Sequence, residues 1–469
     1  MDPTSTRPTI TVTADGTGVV SHAGSRLLAD LADITGLTGQ LGAELARLRR
    51  RRPTHHPGRV LVDMAVAIAD GARTISDVAV LEHQGELFGS VASDSTCWRL
   101  LDALDDRAFV GVAAARAAAR EVAWAQRADT RGAPFPAATA AGRTLPGLVI
   151  DVDASIVIAH SEKEQAAPTF KGTFGYHPLM AFLDNTGEFL AAQLRRGNAG
   201  ANTAADHIEV LDAALAQIPE PHRHGTSILV RADGAGCSRD FLAHLRGLQD
   251  TGVACGFSVG WHITARERAA IALVPKRVWA TAMDADGGHR DGAGLAEITA
   301  LLPAKVLAGY PFGTRVVVRR ERPHPGAQLD LFEEADGWRY TAFATDTRVG
   351  QLAFLDARHR AHARVEDRIR TAKDTGLDHF PSRHFAVNTA WLQVVMLAVD
   401  LLAWTQALLL DGHLAKAEPK TLRYRLLHTA ARLTRGQRRV WLRLQRGWPW
   451  ARDLAAAFTR LHTLPVPTG

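Results

Sequence analysis

The chain has 469 residues, of which 46% are hydrophobic and 22% are charged. These values are ordinary for a globular protein and exclude a wholly disordered chain or a collagen-like fibre. Fifty-five Lys and Arg against 49 Asp and Glu give a formal charge of +6. Most of the basic residues are Arg, which binds phosphate better than Lys does, although codon bias explains an Arg-rich composition equally well. The length corresponds to two to four domains.

The chain has three cysteines, Cys97, Cys237 and Cys255. They are far apart and show no CxxC spacing, so we predict neither a zinc site nor a disulfide framework, and a reducing cytoplasm fits. The polar N-terminus lacks the apolar segment of a signal peptide. The most apolar stretch, Asn388 to Leu410, carries Asp400 in its middle. A membrane span would tolerate that carboxylate only at a cost, so we predict a buried core helix.

The N-terminal third is predicted to be helical. Apolar residues recur at helical spacing over residues 25–48 and again over 58–72. Residues 74–83 and 93–106 then resemble a helix, a turn and a second helix. A small DNA-binding module is therefore one interpretation of this region, and a generic helical bundle is the other.

From about residue 145 the pattern changes to strands. The apolar segment LVIDVDASIV contains Asp151 and Asp153, which lie on one face of a strand because side chains alternate with a period of two. A second apolar strand, ILVRAD, ends at Asp233 before a Gly-rich turn. Burying a carboxylate is costly unless it is paired or bound to a metal. Carboxylate oxygens at neighbouring strand ends are suited to Mg²⁺.

A charged helix is predicted over residues 357–377. Glu366, Arg370 and Lys373 share one face of it, and His359 and His362 lie near that face. Three interpretations remain open: a solvated helix with internal ion pairs, a histidine metal site, and a carboxylate metal ligand flanked by cations that bind a phosphate backbone. The histidine spacing does not match the HExxH motif of metalloproteases.

Several motifs are absent or weak. The sequence has no GxxxxGK[ST] loop, no GxGxxG fingerprint and no kinase motif set, which argues against nucleotide-driven motors and dinucleotide oxidoreductases. One GxSxG pattern occurs at residues 256–260. A hydrolase elbow requires a sharp turn at the Ser, whereas this segment is typical of a continuous strand with Ser258 inside it.

The C-terminal segment concentrates positive charge. From Lys416 to the end there are 12 basic and two acidic residues. The pattern predicts two basic helices broken near Gly436, with Trp441, Trp448 and Trp450 among the arginines. Such a segment is either a solvated cap with tryptophans in the core or a surface for phosphate backbones.

Three segments in this order, IDVDAS, LVRADGAG and RVEDRIRTAKDTGL, resemble the DDE transposases of bacterial insertion sequences. The similarity is to the branch with a β-rich block between the second Asp and the Glu. KGTFGYHPLMAF, LRRGNAGANTAADH and RRERPHPGAQL resemble further blocks of that family. The resemblance extends from about Ile10 to the C-terminus.

This resemblance implies an α/β fold: a ribonuclease-H-like mixed sheet core with a β-rich insertion, flanked by helical N- and C-terminal domains. The implied domains are a helical DNA-binding domain (1–140), the first part of the catalytic core (141–250), the β-rich insertion (251–345), the second part of the core with the Glu helix (346–415), and a basic helical C-terminal domain (416–469).

The resemblance also implies the site residues. Asp153, Asp233 and Glu366 match the catalytic carboxylates, which would bind two Mg²⁺ ions, with Mn²⁺ as a possible substitute. Asp153 is preferred to Asp151 because the family's first Asp is typically followed two positions later by Ser or Thr, as Ser155 follows here. Asp151 remains the alternative.

The implied DNA contacts follow from the signature around the Glu, in which a Tyr and an Arg precede it and a Lys follows. Lys373 matches the Lys, whereas His359 and His362 stand in place of the Tyr and the Arg. The predicted DNA-binding residues are Lys373, Arg370, His362 and Arg364.

The implied activity is that of a transposase. It would bind the ends of an insertion sequence, cleave phosphodiester bonds with metal-activated water and join the 3′-OH ends to target DNA. The expected partner is double-stranded DNA, the expected state is a homodimer, and the expected location is the bacterial cytoplasm at the nucleoid, with no membrane. The alternatives are a metal-dependent nuclease without strand transfer and a non-catalytic DNA-binding protein derived from a transposase.

A tryptophan of the β-rich block would either stack on a flipped base or pack in the core; the candidates are Trp261, Trp279 and Trp338.

Overall fold

The computed structural model describes residues 10–48, 55–160, 162–200, 203–436 and 438–465. Within these residues the helices are α1 (Ser25–Ile34), α2 (Leu37–Glu44), α3 (Pro57–Asp70), α4 (Ala79–Glu82), α5 (Gly85–Phe88), α6 (Asp94–Asp102), α7 (Asp106–Arg131), α8 (Ala204–Ala216), α9 (Glu220–Gly225), α10 (Arg239–Gly247), α11 (Ala265–Ala272), α12 (Ala304–Leu307), α13 (Leu331–Asp336), α14 (Leu352–Arg360), α15 (Val365–Ala372), α16 (Phe385–Leu409), α17 (Pro419–Leu422) and α18 (Ala451–Thr463). The strands are β1 (Val19–Val20), β2 (Thr139–Ala140), β3 (Arg143–Thr144), β4 (Leu148–Ala154), β5 (Val157–Ile158), β6 (Ala167–Pro168), β7 (Phe174–Tyr176), β8 (Leu179–Leu183), β9 (Phe189–Gln193), β10 (Ile228–Ala232), β11 (Cys255–Trp261), β12 (Ala280–Met283), β13 (His289–Glu297), β14 (Arg315–Glu321), β15 (Arg339–Thr345), β16 (Ala431–Gly436) and β17 (Arg439–Leu444).

One large mixed sheet organises the middle of the chain. Its strand order is β12-β13-β14-β15-β11-β10-β4-β8-β9. β10 is parallel to both β4 and β11, whereas the other neighbours are antiparallel. Helices α8 and α10 contribute side chains to the apolar layer on one face of this sheet. Parallel neighbours bring their carboxyl ends to the same edge, which places the ends of β4 and β10 side by side.

The strands of the predicted β-rich block belong to this same sheet. β11 pairs with β10, and β15 then pairs antiparallel with β11, with Ser258 opposite Thr345. β14, β13 and β12 continue outward from β15. The block therefore widens the sheet instead of forming a separate layer, because β11 offers an unpaired edge to β15.

A second apolar core joins the ends of the chain. It contains side chains from α1, α2, α3, α6, α7, α16 and α18. α16 covers the apolar stretch predicted as a core helix, and that prediction is confirmed because most of its side chains are buried. Among the described residues α16 is the helix long and apolar enough to cross a membrane, and 83% of its most apolar window is buried inside the protein.

The aspartate in α16 has charged partners. Asp400 accepts hydrogen bonds from Arg116 and Arg120 of α7, at 2.8 and 2.7 Å, and from the backbone N–H of Phe189. Arg120 also pairs with Glu188 at 2.8 Å. All four side chains are buried, and their formal charges sum to zero. A buried carboxylate is tolerated under these conditions because its hydrogen-bonding capacity is filled.

The C-terminal prediction of two basic helices broken near Gly436 is wrong. The segment forms an antiparallel hairpin of β16 and β17, and β1 adds to it as a third strand. Its residues alternate with the period of a strand: Leu433 and Leu442 lie on the face that packs against the apolar core, whereas Arg432 and Arg443 are exposed on the other. α18 follows the hairpin, so the segment is only partly helical.

Candidate active site

Two of the predicted carboxylates lie together at one edge of the sheet. Ala232 of β10 pairs with Val152 of β4, so the residues that follow, Asp233 and Asp153, stand at the same level on adjacent parallel strands. Asp233 is exposed at the strand end and Asp153 is half-buried. The pairing register, not the sequence spacing, brings these two residues together.

The turn after Asp233 is held close to β11. Asp233 accepts a hydrogen bond from Ala235 N at 2.9 Å and caps a short turn. A Cβ added at Gly260 would lie 2.6 Å from Gly234 N, closer than atoms can approach. The two backbones can meet here because Gly260 carries no side chain. The Gly-rich turn therefore fixes where the Asp233 carboxylate projects.

The charges of both Asp233 and Glu366 act on the Asp153 carboxyl group. Burial raises the pKa of the Asp153 carboxyl to about 6; the charges of Asp233 and Glu366 raise it as well, while His362 lowers it. Like charges at short range disfavour the ionised form. In the described part of the chain these three residues do not form a group whose ligand atoms all lie within 4.8 Å of one another, so at least one pair is farther apart.

Asp151 occupies a different environment from Asp153. It is buried, and its two oxygens accept hydrogen bonds from Arg231 Nε and Nη2, both at 2.7 Å. Oδ1 also accepts a hydrogen bond from His362 Nδ1 at 2.9 Å. Burial alone would raise the pKa of Asp151, but the charge of Arg231 and the bonds from His362 and Arg231 hold it below its usual value. Both oxygens are therefore engaged within the protein.

The ion pair between Arg231 and Asp151 is part of a larger network that includes Asp184 and Arg364. Arg231 also donates to Asp184 at 3.0 Å, and Arg364 lies 3.6 Å from the same carboxylate. Arg364 donates to the backbone carbonyl of Thr139 as well. Its Nε donates to the Ala361 carbonyl at 3.3 Å. Arg364, a predicted DNA contact, thus has three partners within the protein and is half-exposed.

His362 links this network to the carboxylate group. Its Nδ1 is bonded to Asp151, while its Nε2 is buried without a hydrogen-bond partner among the described residues. Burial by itself lowers the pKa of His362, but the bond to Asp151 and the charges of Asp151 and Asp153 raise it above the usual value. His362 is therefore protonated more readily than an isolated histidine.

Lys373 is held at the same strand end. Its Nζ donates to Ser155 Oγ at 2.7 Å and to the Ile156 carbonyl at 3.0 Å. These contacts connect the end of α15 with the residues that directly follow Asp153. Burial, followed by the charge of Lys171, lowers the pKa of Lys373. The structure thus joins two segments that are more than 200 residues apart in sequence.

Arg370 is placed away from these contacts. It is exposed and pairs with Asp367, one turn earlier on α15, and with Glu418 at 4.0 Å. Arg370 was predicted to share a helical face with Glu366 and Lys373. Its partners are acidic residues outside the site, whereas Lys373 contacts Ser155 beside Asp153.

Two histidines near Asp233 were not among the predicted site residues. The charge of Asp233 acts to raise the pKa of His177 and of His207. Burial has the larger effect, and the pKa of each histidine is lowered overall. His177 Nδ1 is buried without a partner among the described residues. Both lie in the two blocks, KGTFGYHPLMAF and LRRGNAGANTAADH, that resemble the transposase family, and their place in these blocks is the signal that could have indicated them.

The GxSxG segment forms a strand, as predicted. Ser258 lies inside β11, is buried, and its Oγ is 3.1 Å from His359 Nδ1. The ring of His359 stacks on Phe343, with 4.7 Å between the ring centroids. These contacts place His359 in the core behind the sheet edge.

Comparison with known proteins identifies the family. A family model described as transposase DDE domain group 1 matches residues 2–466. No curated protein matches the sequence. Among solved structures, the chain is similar to the piggyBac transposase in a cryo-electron microscopy structure of its synaptic complex with hairpin DNA, at 10% sequence identity and a TM-score of 0.41; the match covers 88% of this chain and 82% of that chain. Because the family model spans almost the whole sequence, the chain belongs to the DDE transposases.

Proposed function

We propose that this transposase cleaves DNA at the ends of an insertion sequence and joins the 3′-OH ends to target DNA, using Asp153, Asp233 and Glu366. The observation that carries the proposal is the level placement of Asp153 and Asp233 on adjacent parallel strands, with the charge of Glu366 acting on Asp153. A carboxyl group whose pKa is raised by burial and by neighbouring acidic residues, as that of Asp153 is, is typical of functional sites.

The donor set fits hard divalent cations. All three side chains offer carboxylate oxygens, which Mg²⁺ and Mn²⁺ prefer, and the three negative charges lack a protein cation within salt-bridge distance in the described residues. Because the three side chains are too far apart for all of them to bind one ion, we propose that together they would hold two. When bound, such ions would activate water and stabilise the leaving oxygen during phosphoryl transfer.

The sheet supports a ribonuclease-H-like core. β4, β8 and β9 are neighbouring antiparallel strands of the sheet, and β10 and β11 lie on the other side of β4, parallel to it. α15, which carries Glu366, packs against β4. Ligand sites in such open sheets lie at the carboxyl ends of parallel strands, where Asp153 and Asp233 stand.

The residues around the carboxylates would bind the DNA backbone. Lys373, fixed by Ser155, supplies a cation beside Asp153. His362, bonded to Asp151 through Nδ1, has a buried Nε2 without a partner among the described residues, and this nitrogen can donate to a phosphate oxygen. Arg364 borders the same network. These contacts position the phosphate and carry no sequence information.

The C-terminal hairpin offers a further DNA contact. Arg432 and Arg443 lie directly opposite each other on its exposed face, next to Trp441. Like charges in opposite positions of a strand pair destabilise each other, and a phosphate between them would relieve the repulsion. Double-stranded DNA is therefore the partner we propose, while a homodimer remains a prediction.

The test is a cleavage and strand-transfer assay on DNA that carries the repeats flanking the coding region. The native chain is compared with Glu366→Gln, and Asp367→Asn serves as the matched control because Asp367 is the next, exposed residue of α15. We expect divalent-metal-dependent cleavage and joining by the native chain and by Asp367→Asn. Glu366→Gln should bind the DNA and leave it intact. Equal activity of Glu366→Gln and the native chain would remove Glu366 from the site, and cleavage without joining would favour the nuclease alternative.

A further inference from the structure

Three residues from distant parts of the chain meet at the junction of its two ends. His22 precedes α1, Asp70 is the last residue of α3, and His428 precedes β16. His22 Nδ1 lies 2.6 Å from Asp70 Oδ2, and His428 Nε2 lies 3.3 Å from Asp70 Oδ1. The two imidazole centroids are 4.2 Å apart. One ligand atom from each residue lies within 4.8 Å of the other two.

The carboxylate is fixed and the imidazoles are accessible. The side chain of Asp70 is 3% exposed, whereas those of His22 and His428 are 24% and 39% exposed. Ser25 Oγ donates to Asp70 Oδ1 and holds the carboxylate in place. Such second contacts orient a ligand and are a regular feature of metal sites. The exposed imidazole edges leave a path by which an ion can enter.

The backbone at His22 supports a specific role for its side chain. His22 has a φ of 54°, a left-handed conformation that is uncommon for residues other than glycine. It is followed by two backbone hydrogen bonds, from Ala23 N to the Thr429 carbonyl and from Gly24 N to the Leu427 carbonyl, both 3.0 Å. This arrangement turns the His22 ring toward Asp70 and against His428.

We infer that His22, Asp70 and His428 form a binding site for a divalent transition-metal ion of the Zn²⁺ class. Two imidazole nitrogens and one carboxylate are ligands that Zn²⁺ accepts in tetrahedral sites, with a water in the fourth position. Mg²⁺ prefers a shell made only of oxygen atoms. The site thus differs in chemistry from the carboxylate group at the sheet edge.

Binding requires a rearrangement at both histidines. His428 Nε2 lies 2.8 Å from the backbone carbonyl of Asp70, and His22 Nδ1 lies 2.6 Å from the Asp70 carboxylate, so each nitrogen carries a proton in the metal-free protein. An ion bound to these nitrogens would take the place of both protons, and each ring would give up its bond to Asp70. From a neutral ring the proton moves through solvent to the other ring nitrogen, whereas from a cationic ring it leaves to water. Asp70 keeps its bond from Ser25.

The site would connect three segments of the fold. His22 leads into α1, Asp70 ends α3, and His428 lies three residues before β16, the first strand of the basic hairpin. An ion held by all three would stabilise the folded chain, because the unfolded chain does not hold the ligands together. The hairpin base would be fixed to the N-terminal helices.

The experiment is a calorimetric titration of Zn²⁺ into the metal-free full chain, with thermal unfolding recorded in parallel. Binding at the sheet edge is suppressed by three substitutions, Asp153→Asn, Asp233→Asn and Glu366→Gln. The native chain in excess Mg²⁺ provides a second background. In both we compare His22→Asn, which tolerates a left-handed backbone, with His428→Gln and with the control His289→Gln, an exposed histidine on β13.

We expect one Zn²⁺ per chain in both backgrounds and in His289→Gln, together with a higher unfolding temperature when Zn²⁺ is present. His22→Asn and His428→Gln should each remain folded without metal, bind Zn²⁺ at least tenfold more weakly and lose the thermal shift. Unchanged Zn²⁺ affinity in both histidine variants, or no stoichiometric binding by the parent chain, would overturn the inference and leave a hydrogen-bonded His–Asp–His group. Neither outcome depends on cleavage activity, so the DNA chemistry is judged separately.

Discussion

Arg231 and Asp151 are directly paired across β10 and β4 and form two hydrogen bonds of 2.7 Å between guanidinium and carboxylate. This pair separates the roles of two aspartates that stand two residues apart on the same strand. Asp151 is neutralised by its partner, whereas burial and two nearby acidic residues raise the pKa of Asp153 to about 6. We therefore propose that Asp151 supports the sheet edge and that Asp153 is the carboxylate available for a ligand.

This assignment predicts opposite effects of two similar substitutions. Asp151→Asn leaves the buried Arg231 without its full counter-charge, and breaking a buried pair typically costs about 3–5 kcal/mol. Asp153→Asn removes a carboxylate that has no cationic partner of this kind, so it should leave the free energy of unfolding unchanged or raise it. Denaturant unfolding in the absence of divalent metal measures both. A larger loss of stability for Asp153→Asn would reverse the assignment.

Lys373 and Arg370 should differ in their effect on DNA cleavage. Lys373 is bonded to Ser155 beside Asp153, whereas Arg370 pairs with Asp367 on the outside of α15. A lost charge-assisted hydrogen bond to phosphate is worth about 1.5–3 kcal/mol, so Lys373→Met should slow single-turnover cleavage by about tenfold or more. Arg370→Met should change it much less. Similar losses in both variants would place Arg370 on the DNA after all.

The exposed pair on the C-terminal hairpin predicts a change in salt dependence. If Arg432 and Arg443 each contact a phosphate, Arg432→Gln combined with Arg443→Gln should weaken DNA binding and lower the slope of log K against log salt by about 1.8, since each contact contributes about 0.9. The control is Arg452→Gln, an exposed residue of α18. Fluorescence anisotropy over a range of salt concentrations provides the measurement. An unchanged slope in the double variant would exclude the hairpin face as a phosphate contact.

Asp400 is predicted to be essential for folding stability. Asp400→Asn leaves Arg116 and Arg120 with only Glu188 as a counter-charge, and the expected cost is about 3–5 kcal/mol. Asp411→Asn is the matched control, because Asp411 also contacts two arginines but is exposed, and surface pairs are worth about 0–1 kcal/mol. Thermal or urea unfolding compares the two. Equal losses would mean that the buried network contributes no more than a surface pair.

His359 predicts a pH dependence of stability. Burial, together with the charge of His362, lowers the pKa of His359 to about 3, whereas an unfolded histidine titrates at about 6.5. As the pH falls below about 6.5, the unfolded chain takes up a proton that the folded chain does not, and stability falls by up to about 1.4 kcal/mol per pH unit. The stability contributed by neutral His359 is therefore fully present above about pH 6.5, the pKa of the unfolded residue. It is lost progressively as the pH falls toward about 3, the pKa in the folded chain.

The free energy of unfolding of His359→Gln is compared with that of the native chain over a range of pH. His359→Gln loses the stacking on Phe343 and is less stable at neutral pH, but its deficit relative to the native chain should narrow between about pH 7 and about pH 4, since it lacks the proton uptake. His289→Gln, at an exposed position on β13, should follow the native chain. A deficit that stays constant with pH would show that His359 has the same pKa in the folded and the unfolded chain.

Some features of this protein follow from its sequence alone. The apolar strands around Asp153 and Asp233, the charged helix with Glu366 and the core helix with Asp400 are set by local period and composition, which neighbouring chain segments do not change. The order of the motifs was enough to indicate the family, because these residues are read directly from the chain.

Other features were decided by tertiary structure. Asp151 and Asp153 have the same local sequence pattern. Only the pairing register of β10 against β4 places Arg231 opposite Asp151 and Asp233 level with Asp153. The basic C-terminal segment has helix-forming residues, yet it forms a hairpin because β1 and the apolar core bind the alternating leucines. Partners distant in sequence, such as Lys373 and Ser155, are joined only when the sheet edge and α15 come together. Intrinsic helix or strand propensity is worth about 1 kcal/mol per residue or less. Where it conflicts with long-range burial and strand pairing, burial and pairing therefore determine the secondary structure.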